Sequence, residues 1–362
     1  MALADPPKLL STSPMIEIDG QSYPVVARNL ERMRMSEALG GLSSLELVLT
    51  DAVTRDDGSA DFASGASSPL KLGAGVRVFA GSAEVDAKEI FDGQVTGIEA
   101  EVRDAGAPLF TILAEDRLFP ARRKRRTRVF EDKSLEDVIR QVASDYGLTP
   151  EVRDGIDTTA RTWLQTDETD LAFLRRILAT SDADMQVVGV KLQVGRIGQD
   201  RRTLVPLAPG VGLKYARMTA DIADQVSKIR LAAWDPKQGS AVDASKDAAG
   251  FGPGSGKTGK DVLAQSFSEV TMHVGRLGPM SDAEAQKRAQ YEADRRARAF
   301  VAVTGTAIGN GDLRVGSWIE LSSVSPQFAN QYAVTRAVHR WDRKDGYLTD
   351  FDAQSAYLGA GQ

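Results

Sequence analysis

Cysteine is absent from this chain of 362 residues, and histidine occurs only as His273 and His339. A disulfide framework, a thiolate nucleophile and a cysteine-based zinc site are therefore excluded, and two histidines do not by themselves assemble a histidine-rich metal centre. We accordingly predict no metal site and no other cofactor. At roughly 100–200 residues per domain, the length favours two or three domains, each able to bury its own core.

Long apolar runs and an excess of basic charge are also missing. No stretch approaches the roughly 20 apolar residues of a membrane span, and an acid and two prolines stand where a secretory signal needs a basic start. Against 45 Lys and Arg there are 50 Asp and Glu, a formal charge of −5, which argues against wholesale nucleic-acid binding. We expect a chain made in the cytoplasm, with no membrane insertion and no nucleic-acid partner.

Residues 1–120 have the pattern of antiparallel β structure. Apolar residues alternate in short runs such as 44–50 and 109–114, and glycine and aspartate separate these runs. A period of two predicts strands with one buried face, and several such strands with turn signals are typical of a barrel or sandwich. We predict a first tube-like β-barrel here.

Residues 121–204 change to a mixed pattern. Ser134 followed by Asp137 forms a capping box, which predicts a helix that ends near Gly147. A second helix is predicted after Asp167, and the segment 185–194 indicates a hairpin that turns at Gly189. This region is predicted to be a small α+β domain between two barrels.

Residues 205–362 return to β structure and are predicted to form a second tube-like barrel. The tract 239–261 is rich in Gly, Ser, Ala and Lys, and we predict a long flexible loop there. A capping box at Ser281 and Glu284 predicts a helix over 282–298 whose alanines repeat every four residues, a spacing suited to close packing. The fold class is thus β-rich α+β.

One tract within that loop imitates a phosphate-binding loop. Residues 252–258, GPGSGKT, end in the Gly-Lys-Thr that can wrap a phosphate. Phe251 stands where the leading glycine belongs, and low-complexity sequence stands where an apolar strand is required. We therefore favour a loop without phosphate chemistry.

The densest charge in the chain is a basic run with five consecutive members. Its residues are Arg122, Arg123, Lys124, Arg125, Arg126 and Arg128. Such a run can hold phosphates, meet an acidic surface on another subunit, or simply lie in solvent. On an acidic chain with few nearby aromatics we favour a protein interface or a solvated strand over nucleic acid.

Neither the acid pairs nor the histidines indicate a catalytic site. Glycosidases use a pair of carboxylates, and two pairs of nearby acids are candidates here: Asp182 with Asp184, and Asp167 with Asp170. Asp167 and Asp170 are interpreted as helix caps, and carboxylates are abundant throughout the chain. The two histidines lack a nearby Ser or Asp motif, so they are predicted to be packed or surface residues. We predict that the chain is not an enzyme.

The order of several short motifs resembles the phage late control protein D family, which is similar to the N-terminal hub part of VgrG. The resemblance covers nearly the whole chain. The motifs are AEDRL at 114–118, SLEDVI at 134–139, YGL at 146–148, Gln165 with ETDLAFLRR at 168–176, and Gly316 followed by YAVTRAVH at 332–339 and GYLT at 346–349.

This resemblance implies a structural baseplate hub of a contractile tail or contractile injection system. Family hubs are homotrimers in which each subunit supplies two tube-like barrels, so that three chains adapt a three-fold spike to a six-fold inner tube. The implied partners are the inner tube protein, other baseplate proteins and a spike, which is expected to be a separate protein because the sequence stops at Gln362. The expected location is the baseplate of the particle after cytoplasmic assembly.

Two other functions remain open on the sequence. A tail-associated enzyme that cleaves the cell wall would need a carboxylate pair in a cleft. A carbohydrate-binding β protein would need exposed aromatics grouped on one sheet, whereas the four tryptophans are spread over positions 163, 234, 318 and 341.

Overall fold

The computed structural model describes residues 13–54, 60–62, 64–65, 68–80, 87–199, 202–275 and 277–359. The described elements of the first region are β1 (Met15–Ile18), β2 (Gln21–Ser22), α1 (Pro24–Asn29), β3 (Leu30–Ala38), β4 (Ser44–Thr50), β5 (Ala52–Thr54), β6 (Ala60–Phe62), β7 (Gly75–Ala80), β8 (Lys88–Glu101) and β9 (Leu109–Asp116).

The main sheet of the first region runs in the order β1-β7-β8-β9-β4-β3, and all its pairs are antiparallel. Alternation along each strand places Val78, Leu47 and Ile112 in one fully buried core. Within the described ranges β1 and β3, the outer strands of this six-strand order, are not paired with each other. In the described residues, the region predicted as the first barrel therefore forms an open sheet that covers its own hydrophobic core.

A short 3₁₀ helix (Phe119–Arg122) leads into the middle region, whose elements are β10 (Arg125–Lys133), α2 (Leu135–Asp145), β11 (Thr149–Val152), β12 (Arg161–Thr169), α3 (Asp170–Ala179), β13 (Ala183–Val188) and β14 (Lys191–Arg196). The capping box at Ser134 is formed, and Gly189 turns the β13–β14 hairpin with a φ of 55°. Both helices bury apolar faces in one shared core, which agrees with the predicted mixture of helix and strand.

The last region contains β15 (Leu204–Pro209), β16 (Gly212–Ala220), β17 (Lys228–Asp235), β18 (Ser240–Asp247), β19 (Lys257–Thr258), α4 (Gly259–Ser266), β20 (Thr271–Val274), α5 (Asp282–Arg298), β21 (Val301–Ile308), β22 (Trp318–Leu321), a 3₁₀ turn (Pro326–Phe328), β23 (Gln331–Asp342), β24 (Gly346–Ser355) and β25 (Tyr357–Leu358).

Six of these strands close into a barrel in the order β23-β22-β15-β16-β21-β24, since β24 also pairs with β23. Tyr332, Phe351 and Val303 fill its interior. The prediction of an antiparallel barrel is wrong at two places, because β15 runs parallel to both of its neighbours, β22 and β16. More than a hundred residues separate β15 from β22, so no hairpin turn forces these two strands to run in opposite directions.

The two β regions form one continuous sheet. Strand β3 pairs with β23 in an antiparallel ladder that runs from Ala38↔Arg336 to Arg32↔Asp342. Trp341 and Tyr347, from the last region, pack into the hydrophobic core of the first. We call this junction the β3–β23 seam.

The predicted flexible loop at 239–261 is wrong. Most of it is ordered as β18, β19 and the start of α4, and β18 pairs along its full length with β17. Val242 and Ala244 are buried beside the alanines of α5. Because alanine lets the helix approach the sheet closely, two small apolar residues suffice to anchor this polar strand. Helix α5 itself spans the predicted range.

Candidate functional site

The basic run lies at the entrance to a two-stranded ribbon made of β10 and β12. Its first residue, Arg122, ends the short 3₁₀ helix, and Arg125 begins β10. Successive side chains of a strand point to opposite faces. The run is therefore divided between the two faces of the ribbon.

Arg126 and Arg128 face inward and are held within the chain. Arg128 Nη1 lies 2.7 Å from Asp145 Oδ2, and its Nη2 donates to the buried carboxylate of Asp170. Arg126 lies 3.2 Å from Asp145 and 3.4 Å from Asp170. Burial and the hydrogen bond to Asp170 raise the pKa of Tyr146. These two arginines neutralise a buried carboxylate, which leaves little of their charge for a partner.

The remaining members of the run are exposed. Arg122 forms a two-pronged ion pair with Glu115, at 2.7 and 2.8 Å. Arg125 lies 3.7 Å from Asp167 with both side chains mostly in solvent, a geometry that contributes at most about 1 kcal/mol. Arg123 stacks over the ring of Phe119, and Lys124 is exposed. The charge available to a partner comes from Arg123, Lys124 and Arg125.

An apolar pair that the sequence analysis did not single out lies beside this charge. Val129 and Leu164 stand directly opposite each other on the ribbon and are 54% and 57% exposed. The alternation within β10 was the sequence signal that could have indicated this pair, because it places Val129 on the same exposed face as Arg125. An exposed apolar pair bordered by basic residues has the composition of a protein contact.

The first acid pair borders a cavity of about 500 Å³ next to α3. Asp182 accepts two hydrogen bonds of 2.8 Å from Arg298. Asp184 accepts from the backbone amide of Gly40 at 2.5 Å and from Gln186 Nε2 at 3.2 Å. Both carboxylates are thus engaged in holding chain segments together.

The second acid pair does not cap its helix as predicted. Thr169 caps α3 by accepting from the amide of Ala172 at 3.2 Å. Asp170 instead ties the ribbon to the helices, and Asp167 is an exposed residue with a positive φ of 44°. The threonine competes successfully because its extended backbone and short hydroxyl side chain suit the cap position.

The GPGSGKT tract packs against the barrel. Lys257 Nζ donates to Gln265 at 3.1 Å, and Thr258 caps α4. A Cβ on Gly256 would lie 2.1 Å from the carbonyl oxygen of Leu358, so only glycine permits this approach. The glycines of this tract serve close backbone packing, which agrees with the rejection of a phosphate loop.

A buried polar cluster lies at the β3–β23 seam. Arg314 Nη2 donates to Glu37 at 2.5 Å, and the amide of Val315 donates to the other carboxylate oxygen at 2.6 Å. His339 Nδ1 lies 2.6 Å from the hydroxyl oxygen of Tyr347. His339 is therefore a packed histidine, whereas His273 is exposed on β20.

Three acid or base groups near the seam have strongly shifted pKa values. Burial opposes ionisation of Glu37, but the charges of Arg314 and Arg202 lower its pKa to about 2. Burial and the charge of Arg314 lower the pKa of His339 to about 3. Burial raises the pKa of Asp116 to about 6, although two backbone amides donate to it.

These shifts predict an opposed pH dependence of stability. The unfolded chain protonates His339 near pH 6.5 and the folded chain only near pH 3, so this group lowers the free energy of unfolding as the pH falls between those values. The folded chain protonates Asp116 near pH 6 and the unfolded chain only near pH 3.8, so this group raises the free energy of unfolding as the pH falls through that range. Each is worth about 1.4 kcal/mol per pH unit, so the two cancel in that window. Glu37 then loses its contribution between pH 4.5 and 2, and the free energy of unfolding falls steeply below about pH 4.

The variant Asp116→Asn removes the stabilisation that protonation of Asp116 provides at acidic pH. Relative to the wild type, it should lose about 3 kcal/mol of stability between pH 6 and 3.8, because only the wild type gains from protonating Asp116 there. Urea unfolding of both proteins across this range measures the difference. Parallel pH profiles would contradict the prediction.

Among the described residues, no group of three or more His, Asp or Glu side chains is placed to hold a metal ion. No helix in that part of the chain has the length and apolar character needed to cross a membrane.

Comparison with known proteins assigns the chain to a family. A family model described as the Alg8 N-terminal domain matches residues 10–342. The chain belongs to the Alg8 N-terminal domain family. No curated protein sequence matches this Alg8 N-terminal domain chain.

Solved structures similar to this Alg8 N-terminal domain chain include phage tail proteins. The 43 kDa tail protein of prophage MuSo2 from Shewanella oneidensis is 13% identical, with a TM-score of 0.66, and the match covers 94% of this chain and 97% of that one. A tail protein from Neisseria meningitidis MC58 is 12% identical, with a TM-score of 0.66 and coverage of 95% and 97%.

A third similar structure is the E. coli c3393 protein, a component of the type VI secretion system. It is 13% identical, with a TM-score of 0.56, and the match covers 96% of this chain and 79% of that one. At these identities the likeness concerns the fold. The resemblance drawn from the sequence motifs is confirmed at that level, because the Alg8 N-terminal domain chain shares its fold with tail and injection-system proteins.

Proposed function

We propose that this chain is a structural hub of a contractile tail or contractile injection system. In this role three copies join a three-fold spike to a six-fold inner tube. The observation that carries the proposal is the fold match to two tail proteins over nearly the full length of all three chains. The continuous sheet across the β3–β23 seam supports it, since a symmetry adaptor needs its two β regions held at a fixed relation.

In this proposal, residues 1–120 and 205–362 take the positions of the two barrel units, and residues 121–204 decorate or join the subunits. The separate hydrophobic cores of these regions support the division. The partners are two further copies of the chain, the inner tube protein, a separate spike and other baseplate proteins. Assembly takes place in the cytoplasm, and the product is a component of the particle.

The proposed role is not catalytic. The acid pairs that suggested a cell-wall hydrolase are engaged with Arg298, Arg128 and backbone amides. A general acid needs a carboxyl group that faces its substrate, but Asp170, Asp182 and Asp184 are buried and face the protein, so neither pair presents two carboxylates to a substrate.

The hub proposal predicts a trimer that binds tube and spike. Light scattering of the purified protein over a range of concentrations should give the mass of three chains. Co-expression with the tube and spike proteins of the same particle should yield a complex that contains all three. A chain that stays monomeric at high concentration and captures neither protein would overturn the proposal.

The exposed part of the basic run is predicted to contribute to this assembly. The double variant Arg123→Glu/Arg125→Glu should weaken association about tenfold, because it places like charges against an acidic partner surface. The free energy of unfolding should remain within about 0.5 kcal/mol of the wild type, since both side chains are exposed. Arg230→Glu, a reversal at an exposed residue of β17, is the matched control and should leave association unchanged.

A further inference from the structure

The hairpin between β8 and β9 is an exposed element with both apolar and acidic side chains. All residues from 98 to 107 are exposed, and Val102 is 89% and Ile98 45% exposed. Its acidic residues are Glu99, Glu101 and Asp104. The single basic residue, Arg103, is engaged with Glu101 at 2.8 Å, so the hairpin carries net negative charge.

The β10–β12 ribbon has the complementary composition. Its apolar pair, Val129 and Leu164, is about half exposed. The exposed charge at its entrance is positive and comes from Arg123, Lys124 and Arg125, of which Arg125 makes only a solvent-exposed ion pair with Asp167 at 3.7 Å. A small apolar centre with a charged rim is the usual anatomy of a protein interface, and opposite rim charges select the partner.

These two surfaces lie at opposite ends of strand β9. The hairpin precedes Leu109, where β9 begins, whereas Arg122 at the entrance to the ribbon pairs with Glu115 near the end of β9. Six residues of extended strand span about 20 Å. The hairpin extends from the far end of β9, so a chain does not cover its own ribbon with it.

We propose that the hairpin at 98–107 of one chain packs on the β10–β12 ribbon of a second copy. This contact rests on the proposed hub function, because it names the surfaces through which the trimer would form. Two different surfaces that meet head to tail generate a ring when the rotation between copies closes and an open filament when it does not, whereas a self-complementary surface generates a two-fold dimer. Val102 would meet the Val129–Leu164 pair, with Glu99 and Asp104 facing the basic residues.

The absence of cysteine makes a cross-linking test clean. Full-length protein with Val102→Cys and Val129→Cys in the same chain should form covalent dimers and trimers on mild oxidation. Neither single variant should do so, because each places a thiol on only one of the two surfaces. A single variant that cross-links as well as the double variant would overturn the head-to-tail contact.

A charge exchange tests the same contact without a thiol. The hairpin variant Glu99→Lys/Asp104→Lys and the ribbon variant Arg123→Glu/Arg125→Glu should each weaken self-association about tenfold. All four substitutions in one chain should restore it, because the opposite charges face each other again. Failure of the combined variant to recover association contradicts the proposed contact.

Light scattering of the wild type distinguishes a failure of the head-to-tail contact from a failure of the hub proposal. A wild-type trimer whose cysteine and charge variants behave otherwise than expected overturns this contact and leaves the hub proposal standing. A wild type that is monomeric at every concentration overturns the trimer and this contact with it.

Discussion

Replacing Arg298 with alanine should lower the free energy of unfolding by about 3–5 kcal/mol, because the buried carboxylate of Asp182 loses its hydrogen-bonded partner and keeps the more distant Arg196, at 3.9 Å. Arg298 lies at the end of α5, and both of its terminal nitrogens donate to Asp182 at 2.8 Å. Both side chains are almost fully buried. Without the guanidinium, the Asp182 carboxylate stays in a low-dielectric site, where burial already raises its pKa.

The effect should be specific to this buried pair. Arg295→Ala, one turn earlier on the same helix, removes an arginine that is about half exposed and pairs with Glu292, so it should cost less than about 1 kcal/mol. Urea unfolding at pH 7 gives both values. The double variant Asp182→Ala/Arg298→Ala should cost clearly less than the sum of the two single variants. Equal losses of stability for Arg295→Ala and Arg298→Ala would contradict the importance of the buried Arg298–Asp182 pair.

Glu37→Gln should destabilise the protein by about 3 kcal/mol or more, because it leaves the charge of buried Arg314 uncompensated at the β3–β23 seam. The amide retains the shape of the side chain and an acceptor for the amide of Val315, so the lost quantity is the charge. The pKa of Glu37, lowered to about 2, indicates the same size of interaction.

Glu46→Gln is the matched control for this substitution. Glu46 lies on the neighbouring strand β4 and pairs with Arg32 at 3.5 Å, where both side chains are more than one-third exposed. Its replacement should change stability by less than about 1 kcal/mol. Adding Arg314→Met to Glu37→Gln should recover part of the loss, since no unpaired charge then remains. Chemical denaturation at pH 7 measures all three variants, and similar losses for Glu37→Gln and Glu46→Gln would refute the prediction.

Local sequence signals predicted three of the five described α-helices, α2, α3 and α5, and many strands, whereas α1 and α4 were not predicted. The capping boxes at Ser134 and Ser281 mark the first residues of α2 and α5, because those signals consist of residues three apart that satisfy each other. The alternation at 109–114 likewise corresponds to β9. Such elements depend on interactions that a short window of sequence contains.

Features that depend on distant residues were not predictable. β18 is ordered by the alanines of α5, about 45 residues later in the chain. Glu37 and Arg314 are separated by 277 positions, and nothing in the local sequence of either indicates the other. The same holds for the basic run, in which only the three-dimensional positions of Asp145 and Asp170 distinguish the inward arginines from the outward ones.

The β3–β23 ladder has a mechanical consequence. Seven residue pairs join the two strands in register. A force that pulls the two β regions apart along the strand axis loads all of these hydrogen bonds in shear, so they must break together. A force across the strands would instead open them one pair at a time. We therefore expect the junction to resist force best along the strand direction, where all seven pairs share the load.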